Sequence, residues 1–72
     1  MDEKAILENF GLNLKMYRHK FKMSQDDVAE KTGFSSPYIS NVEAGKHNIS
    51  LVNALKFAEI FDKKIEDFLK EL

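Results

Sequence analysis

Apolar side chains recur at three- and four-residue steps through Ile6, Leu7, Phe10, Leu14, Tyr17 and Phe21, the spacing that gathers them on one face of a helix. The pattern predicts a first helix from about Glu3 to Lys20 with that face in the core. Gly11 lies within it at a cost of about 1 kcal/mol relative to alanine; a close approach by another helix and simple tolerance both account for it. A second helix is signalled after Met23. Ser24 can accept a hydrogen bond from a free first-turn N–H, Asp27 three residues on completes a capping box, and Asp26 suits the positive end of the helix dipole. Thr32-Gly33-Phe34 ends this helix, because glycine takes the left-handed conformation cheaply. Ser35 then caps a third helix, with Pro37 in the tolerated first turn. Gly45 through Ile49 reads as a loop, and Ser50 caps a fourth helix whose Leu51, Leu55, Ala58 and Phe61 are expected to face inward. A last short helix, about 65–72, follows Lys63-Lys64 and carries Ile65, Phe68, Leu69 and Leu72. Strands, repeats, linkers and low-complexity segments have no place in this pattern.

The expected fold class is therefore all-α, five helices in one domain spanning 1–72. The second and third helices, hinged at Gly33 within about 24–45, make a helix-turn-helix, a motif whose second helix commonly enters the DNA major groove. Composition narrows what such a domain can do. Seventy-two residues leave little stability in reserve, so pairing with a second copy would help, and an extended active-site cleft is not expected. The chain has no cysteine, and His19 and His47 stand at no familiar ligand spacing, which argues against a zinc site or any other metal. No apolar run approaches the roughly 18 residues that cross a bilayer. Met1-Asp2-Glu3-Lys4 opens an amphipathic segment rather than a signal peptide, so a cytoplasmic location without membrane contact is expected. No nucleophile-base pair, phosphate-cradling glycine loop or framed pair of acids is present, and neither enzyme activity nor a cofactor is expected.

The net charge of −1 argues at first against a nucleic-acid partner, since DNA binding rests on phosphate neutralisation by lysine and arginine. Its distribution argues otherwise. Between Asn9 and Gln25 stand Lys15, Arg18, Lys20 and Lys22 with no acid, and between Ala44 and Ala58 stand Lys46 and Lys56, again with no acid. Glu59, Asp62, Glu66, Asp67 and Glu71 load the other end. A dipolar molecule with one basic face is the expectation.

Taken in order, Phe10-Gly11, Leu14, Arg18, Met23-Ser24-Gln25, Val28-Ala29, Thr32-Gly33-Phe34, Ile39 through Lys46, Ile49-Ser50-Leu51 and Leu55 through Phe61 resemble the lambda-repressor and Cro-like helix-turn-helix family, the xenobiotic-response-element type of bacterial and phage regulators. The resemblance runs from about Phe10 to Phe68. Lys63 departs from it, since such domains usually carry an apolar residue there. The resemblance implies that Gln25, in the first turn of the second helix, holds a DNA phosphate through its amide. It puts Ser36, Pro37, Tyr38, Ser40 and Asn41 on the exposed face and leading end of the recognition helix. Asn41 is the best specific reader, able to pair in a bidentate manner with adenine. Ser36 is ambiguous between bases, and Pro37 and Tyr38 offer mainly apolar contact; for Tyr38, partial burial is the competing reading. Arg18 and Glu43 match an architectural ion pair of the family. Lys46 and Asn48 are implied phosphate contacts, with His47 an exposed loop residue.

The function this implies is sequence-specific binding of a pseudo-palindromic double-stranded DNA operator by a homodimer acting as a transcriptional repressor. A restriction-modification controller that activates or represses by position is the alternative within that class, and an antitoxin-like protein-interaction module the alternative outside it. Ile60, Ile65, Phe68, Leu69 and Leu72 cannot all face one small core, because Phe68 and Leu69 would point about 100° apart on a helix. They are expected to form the dimer interface, which would set two recognition helices about 34 Å apart.

Overall fold

Side-chain caps begin each of the four α-helices in the computed structural model, which describes residues 2–72: α1 (Glu3–Lys20), α2 (Gln25–Thr32), α3 (Ser36–Glu43) and α4 (Leu51–Ile60). Asp2 accepts from the Lys4 N–H at 3.0 Å, Ser24 from Asp27 at 3.0 Å, Ser35 from Tyr38 at 3.2 Å and Ser50 from Asn53 at 3.1 Å. Each bond satisfies one of the donors that a helix start leaves over. The capping box of α2 closes when the Ser24 N–H donates to Asp27 at 2.8 Å. That backbone bond, followed by the Ser24 hydroxyl, holds the Asp27 carboxyl below its ordinary value of 3.8. Helix ends are also built locally. Lys22, Gly45 and Asp62 take positive φ, and the N–H of the next residue returns to the carbonyl of Arg18, Asn41 and Ala58 respectively, which closes α1, α3 and α4 as Schellman turns.

The core is one aromatic-rich cluster. Phe10, Leu14 and Tyr17 of α1 meet Val28 of α2, Ile39 and Val42 of α3, and Ala54, Phe57, Ala58 and Phe61 of α4 and its end. Phe10 packs edge-on to Phe57 at 6.0 Å, and Phe57 lies 5.1 Å from Phe34 in the turn between α2 and α3. Gly11 is explained by close approach. A Cβ there would sit 2.4 Å from the Val42 carbonyl oxygen and 2.6 Å from that of Glu43, so the end of α3 rests directly on the α1 backbone. Lys63, the departure from the family pattern, lays its ammonium 5.6 Å from the centre of the Tyr17 ring, a cation–π contact that lets a charged residue cover apolar surface.

Three expectations are corrected. The fifth helix is a single 3-10 turn, Ile65–Phe68, and residues 69–72 are not helical. A segment as short as 65–72 nucleates a helix poorly on its own, and contacts with α1 fix it instead: Phe68 is drawn into the core, and the buried Asn13 amide donates to the carbonyls of Asn9 at 2.9 Å, Phe68 at 3.0 Å and Lys70 at 2.7 Å. Phe68 is fully buried against Phe10 and Tyr17, at 5.1 and 5.0 Å, so it belongs to the core of its own chain and is not available to a dimer interface. Finally, the inward face of α4 is corrected in part. Ala58 and Phe61 are buried as expected, together with Ala54 and Phe57, but Leu51 and Leu55 are 67% and 41% exposed. The inward direction is set by Phe57, whose ring fills the centre; Leu55, two residues before it, points to the opposite side, and Leu51 lies in the exposed first turn. Phe21, at the end of α1, stays half exposed and packs edge-on to Phe61 at 5.4 Å.

Candidate nucleic-acid interface

α2 and α3 meet at a turn in which Gly33 has φ of +81° and its N–H returns to Ala29 at 2.8 Å. Thr32 tightens the bend, donating its hydroxyl to Val28 at 2.8 Å and accepting from the Phe34 N–H at 3.3 Å. Ile39 and Val42 anchor α3 in the core. With that side inward, Pro37 and Ser40 are exposed and Ser36 and Asn41 flank them half-buried, so these four residues form one outward stripe on a helix that cannot roll.

Its far end is held by charge. Arg18 donates from Nε to Glu43 Oε2 at 2.6 Å and from Nη2 to Oε1 at 3.1 Å, and its Nη1 reaches the Met23 carbonyl at 3.1 Å. Both side chains are nearly buried, 10% and 5% exposed. A forked, water-poor pair of this kind ties α1 to α3, and loss of either partner would strand a charge. Gln25 joins the same group, with Nε2 donating to Glu43 Oε1 at 3.2 Å. Its carboxamide is therefore held in a defined place at the start of α2, with one N–H remaining for another acceptor.

Tyr38 stands apart from the other candidate readers. It is half-buried, its ring 5.0 Å from Phe34 and stacked on Phe57 at 6.3 Å, while its hydroxyl accepts from Asn53 Nδ2 at 3.0 Å. His47 packs on its outer side at 5.0 Å. Tyr38 thus joins α3 to α4 and to the loop that follows α3. That loop leaves Lys46, His47 and Asn48 exposed. Ser36 donates its hydroxyl to the Asp26 carboxylate. Sequence reasoning gave no role to Asn53 or Asn13 and used Asp26 only for its charge. A signal for Asn13 was present, since it shares the Phe10, Leu14 and Tyr17 face; Asn53 and Asp26 carried none, because their partners lie on other helices. The assigned dimer residues divide as well: Ile60 and Ile65 are half-buried against the core, and Leu69 and Leu72 are 43% and 70% exposed. Among the described residues no cluster of histidine, cysteine and acids could hold a metal ion, and no helix is long and apolar enough to cross a membrane.

A bihelical unit with a pinned second helix, a polar outward stripe and a basic loop beyond it defines a DNA-binding regulator rather than an enzyme. The helix-turn-helix family model matches residues 14–68, and the chain belongs to that family, of the Cro/C1 type. It is 43% identical over 54 residues to an uncharacterized HTH-type transcriptional regulator of Archaeoglobus fulgidus, covering 75% of this chain and 76% of that one. A similar regulator of Methanocaldococcus jannaschii is 44% identical over 54 residues, covering 75% and 82%. Among solved structures, the restriction-modification controller protein C.AhdI from Aeromonas hydrophila aligns with a TM-score of 0.81 at 35% identity, covering 86% of this chain and 94% of its own. The hypothetical transcription factor NHTF from Neisseria aligns with a TM-score of 0.87 at 27% identity, covering 97% and 80%.

Proposed function

We propose that this DNA-binding regulator acts in the cytoplasm as a homodimer on a pseudo-palindromic operator and represses the promoter that contains it. The supporting observation is the outward stripe of Ser36, Pro37, Ser40 and Asn41 on a helix immobilised by Ile39, Val42 and the Arg18–Glu43 pair. A rigid helix presents hydrogen-bonding groups to base edges with little ordering cost, and Asn41 supplies a bidentate group suited to adenine. Gln25, Lys46 and Asn48 contact phosphate, which sets the register of that helix without reading sequence. Tyr38 contributes through position more than through contact, holding the stripe and the loop in one frame. The second copy binds over Ile60, Ile65, Leu69 and Leu72.

The likeness to C.AhdI favours a second reading, a restriction-modification controller that acts by its position at the promoter. Restriction and methyltransferase genes beside the coding sequence would support it over a simple repressor. Selection from random duplexes tests the common core of both readings by enriching an inverted repeat. Asn41→Ala should then cost about 1–3 kcal/mol on the selected operator and relax one base pair per half-site, with nonspecific affinity nearly unchanged. Equal losses on specific and random DNA would make Asn41 a positioning residue.

A further inference from the structure

A serine hydroxyl can donate to a base or accept from one, so Ser36 has no fixed preference as a residue type. Its neighbour gives it one. The two acids in the first turn of α2 have different tasks: Asp27 is engaged with Ser24 in the capping box, whereas Asp26 turns across the motif and accepts the Ser36 hydroxyl hydrogen. Ser36 is the first residue of α3, at the leading end of the outward stripe. With its hydrogen directed into a carboxylate, the hydroxyl presents only lone pairs to the groove. The carboxylate adds acceptors and no donor.

We propose that Asp26 is a specificity-determining residue. By holding Ser36 as a pure acceptor, it makes the leading end of α3 read an exocyclic amino group, N4 of cytosine or N6 of adenine, and refuse guanine and the O4 edge of thymine. In the major groove guanine offers only the acceptors N7 and O6, and acceptor facing acceptor leaves both unpaired in a desolvated contact. Asp26 is next to Gln25, which the DNA-binding reading sets on a phosphate, so its charge also lowers affinity for DNA of every sequence, an effect with no base preference. The inference rests on the DNA-binding reading above and adds to it the chemical class of base at one position.

The test is a selection of duplexes by wild type, Asp26→Ala, Ser36→Ala and the double variant. Affinities are then measured for four operators that differ only at the base pair whose preference Ser36→Ala removes. Both positions lie in first turns at the surface, and far-ultraviolet circular dichroism and melting curves verify that the variants are folded. Wild type should disfavour guanine there by about tenfold, the scale of one good base contact. Asp26→Ala frees the hydroxyl to donate, so discrimination against guanine should collapse while affinity for all four duplexes rises by a common factor. In the Ser36→Ala background the same change should leave only the common factor. An Asp26→Ala protein that keeps the wild-type order of the four duplexes overturns the inference and leaves the DNA-binding reading standing. A folded wild type that enriches no duplex sequence overturns both.

Discussion

Around Glu43 the polar groups are committed inside the chain, whereas around Leu69 apolar surface is left uncovered. At the junction of α1, α2 and α3, Arg18, Gln25 and the Met23 carbonyl converge on or beside one carboxylate. Gly11 brings the α3 backbone onto α1 with no side chain between. At the other end a 3-10 turn replaces a helix, one buried amide holds the C-terminal backbone, and Leu69 and Leu72 face outward beside the half-buried Ile65. The junction is held because displacing Arg18 or Glu43 strands the opposite charge, and losing Arg18 also leaves the Met23 carbonyl without its partner. The C-terminal end is held by fewer ties, the Asn13 bonds and the buried Phe68 ring, and Leu69 and Leu72 beyond them stay exposed. On the proposed reading the two regions take different tasks: a preorganised surface for a stiff duplex, and an apolar surface for another copy.

The largest expected effect comes from breaking the junction. Glu43→Ala leaves Arg18 buried without its carboxylate and should lower unfolding free energy by about 3–5 kcal/mol. Urea denaturation measures it, and a loss below about 1 kcal/mol would mean the pair behaves as a solvated surface contact. The C-terminal end has one comparable fastener. Asn13→Ala removes the donor to the Phe68 and Lys70 carbonyls and should cost about 1–3 kcal/mol, with amide exchange accelerating first in residues 65–72. Uniform acceleration across all helices would show that the segment is not a separately opening unit.

Smaller effects separate binding from folding. Lys46→Ala should weaken binding to all sequences and make the slope of log affinity against log salt shallower by about 1 per half-site engaged. Gln25→Ala, which removes no charge, should leave that slope unchanged, so equal slopes for wild type and Lys46→Ala would remove Lys46 from the phosphate contacts. Least disturbing to the isolated fold is Leu69→Asp, at an exposed position where substitutions usually stay within about 0.5 kcal/mol. The variant should remain helical yet sediment as a monomer at micromolar concentration and lose cooperative operator binding. A wild type that is monomeric both free and on its operator would sink the dimer.

The sequence by itself determined the features that depend on neighbouring residues. Ser24, Ser35 and Ser50 begin helices, Gly33 and Gly45 end them, and the Phe10, Leu14 and Tyr17 spacing marks a core face; caps and turns are satisfied within four residues, so their chemistry is written in order along the chain. The helix-turn-helix was legible for the same reason, and through the family resemblance so were Arg18 and Glu43 as partners. Tertiary structure alone decided which of several apolar stripes on α4 turned inward, since Leu51, Ala54, Leu55, Phe57 and Ala58 permit more than one face until Phe57 meets Phe10 and Phe34. It also decided that Phe68 joined its own core, that Tyr38 bonded to Asn53, and that the Ser36 hydrogen pointed at Asp26. Each of these is a contact between helices, and periodicity along one helix states which side chains share a face without stating what that face will meet.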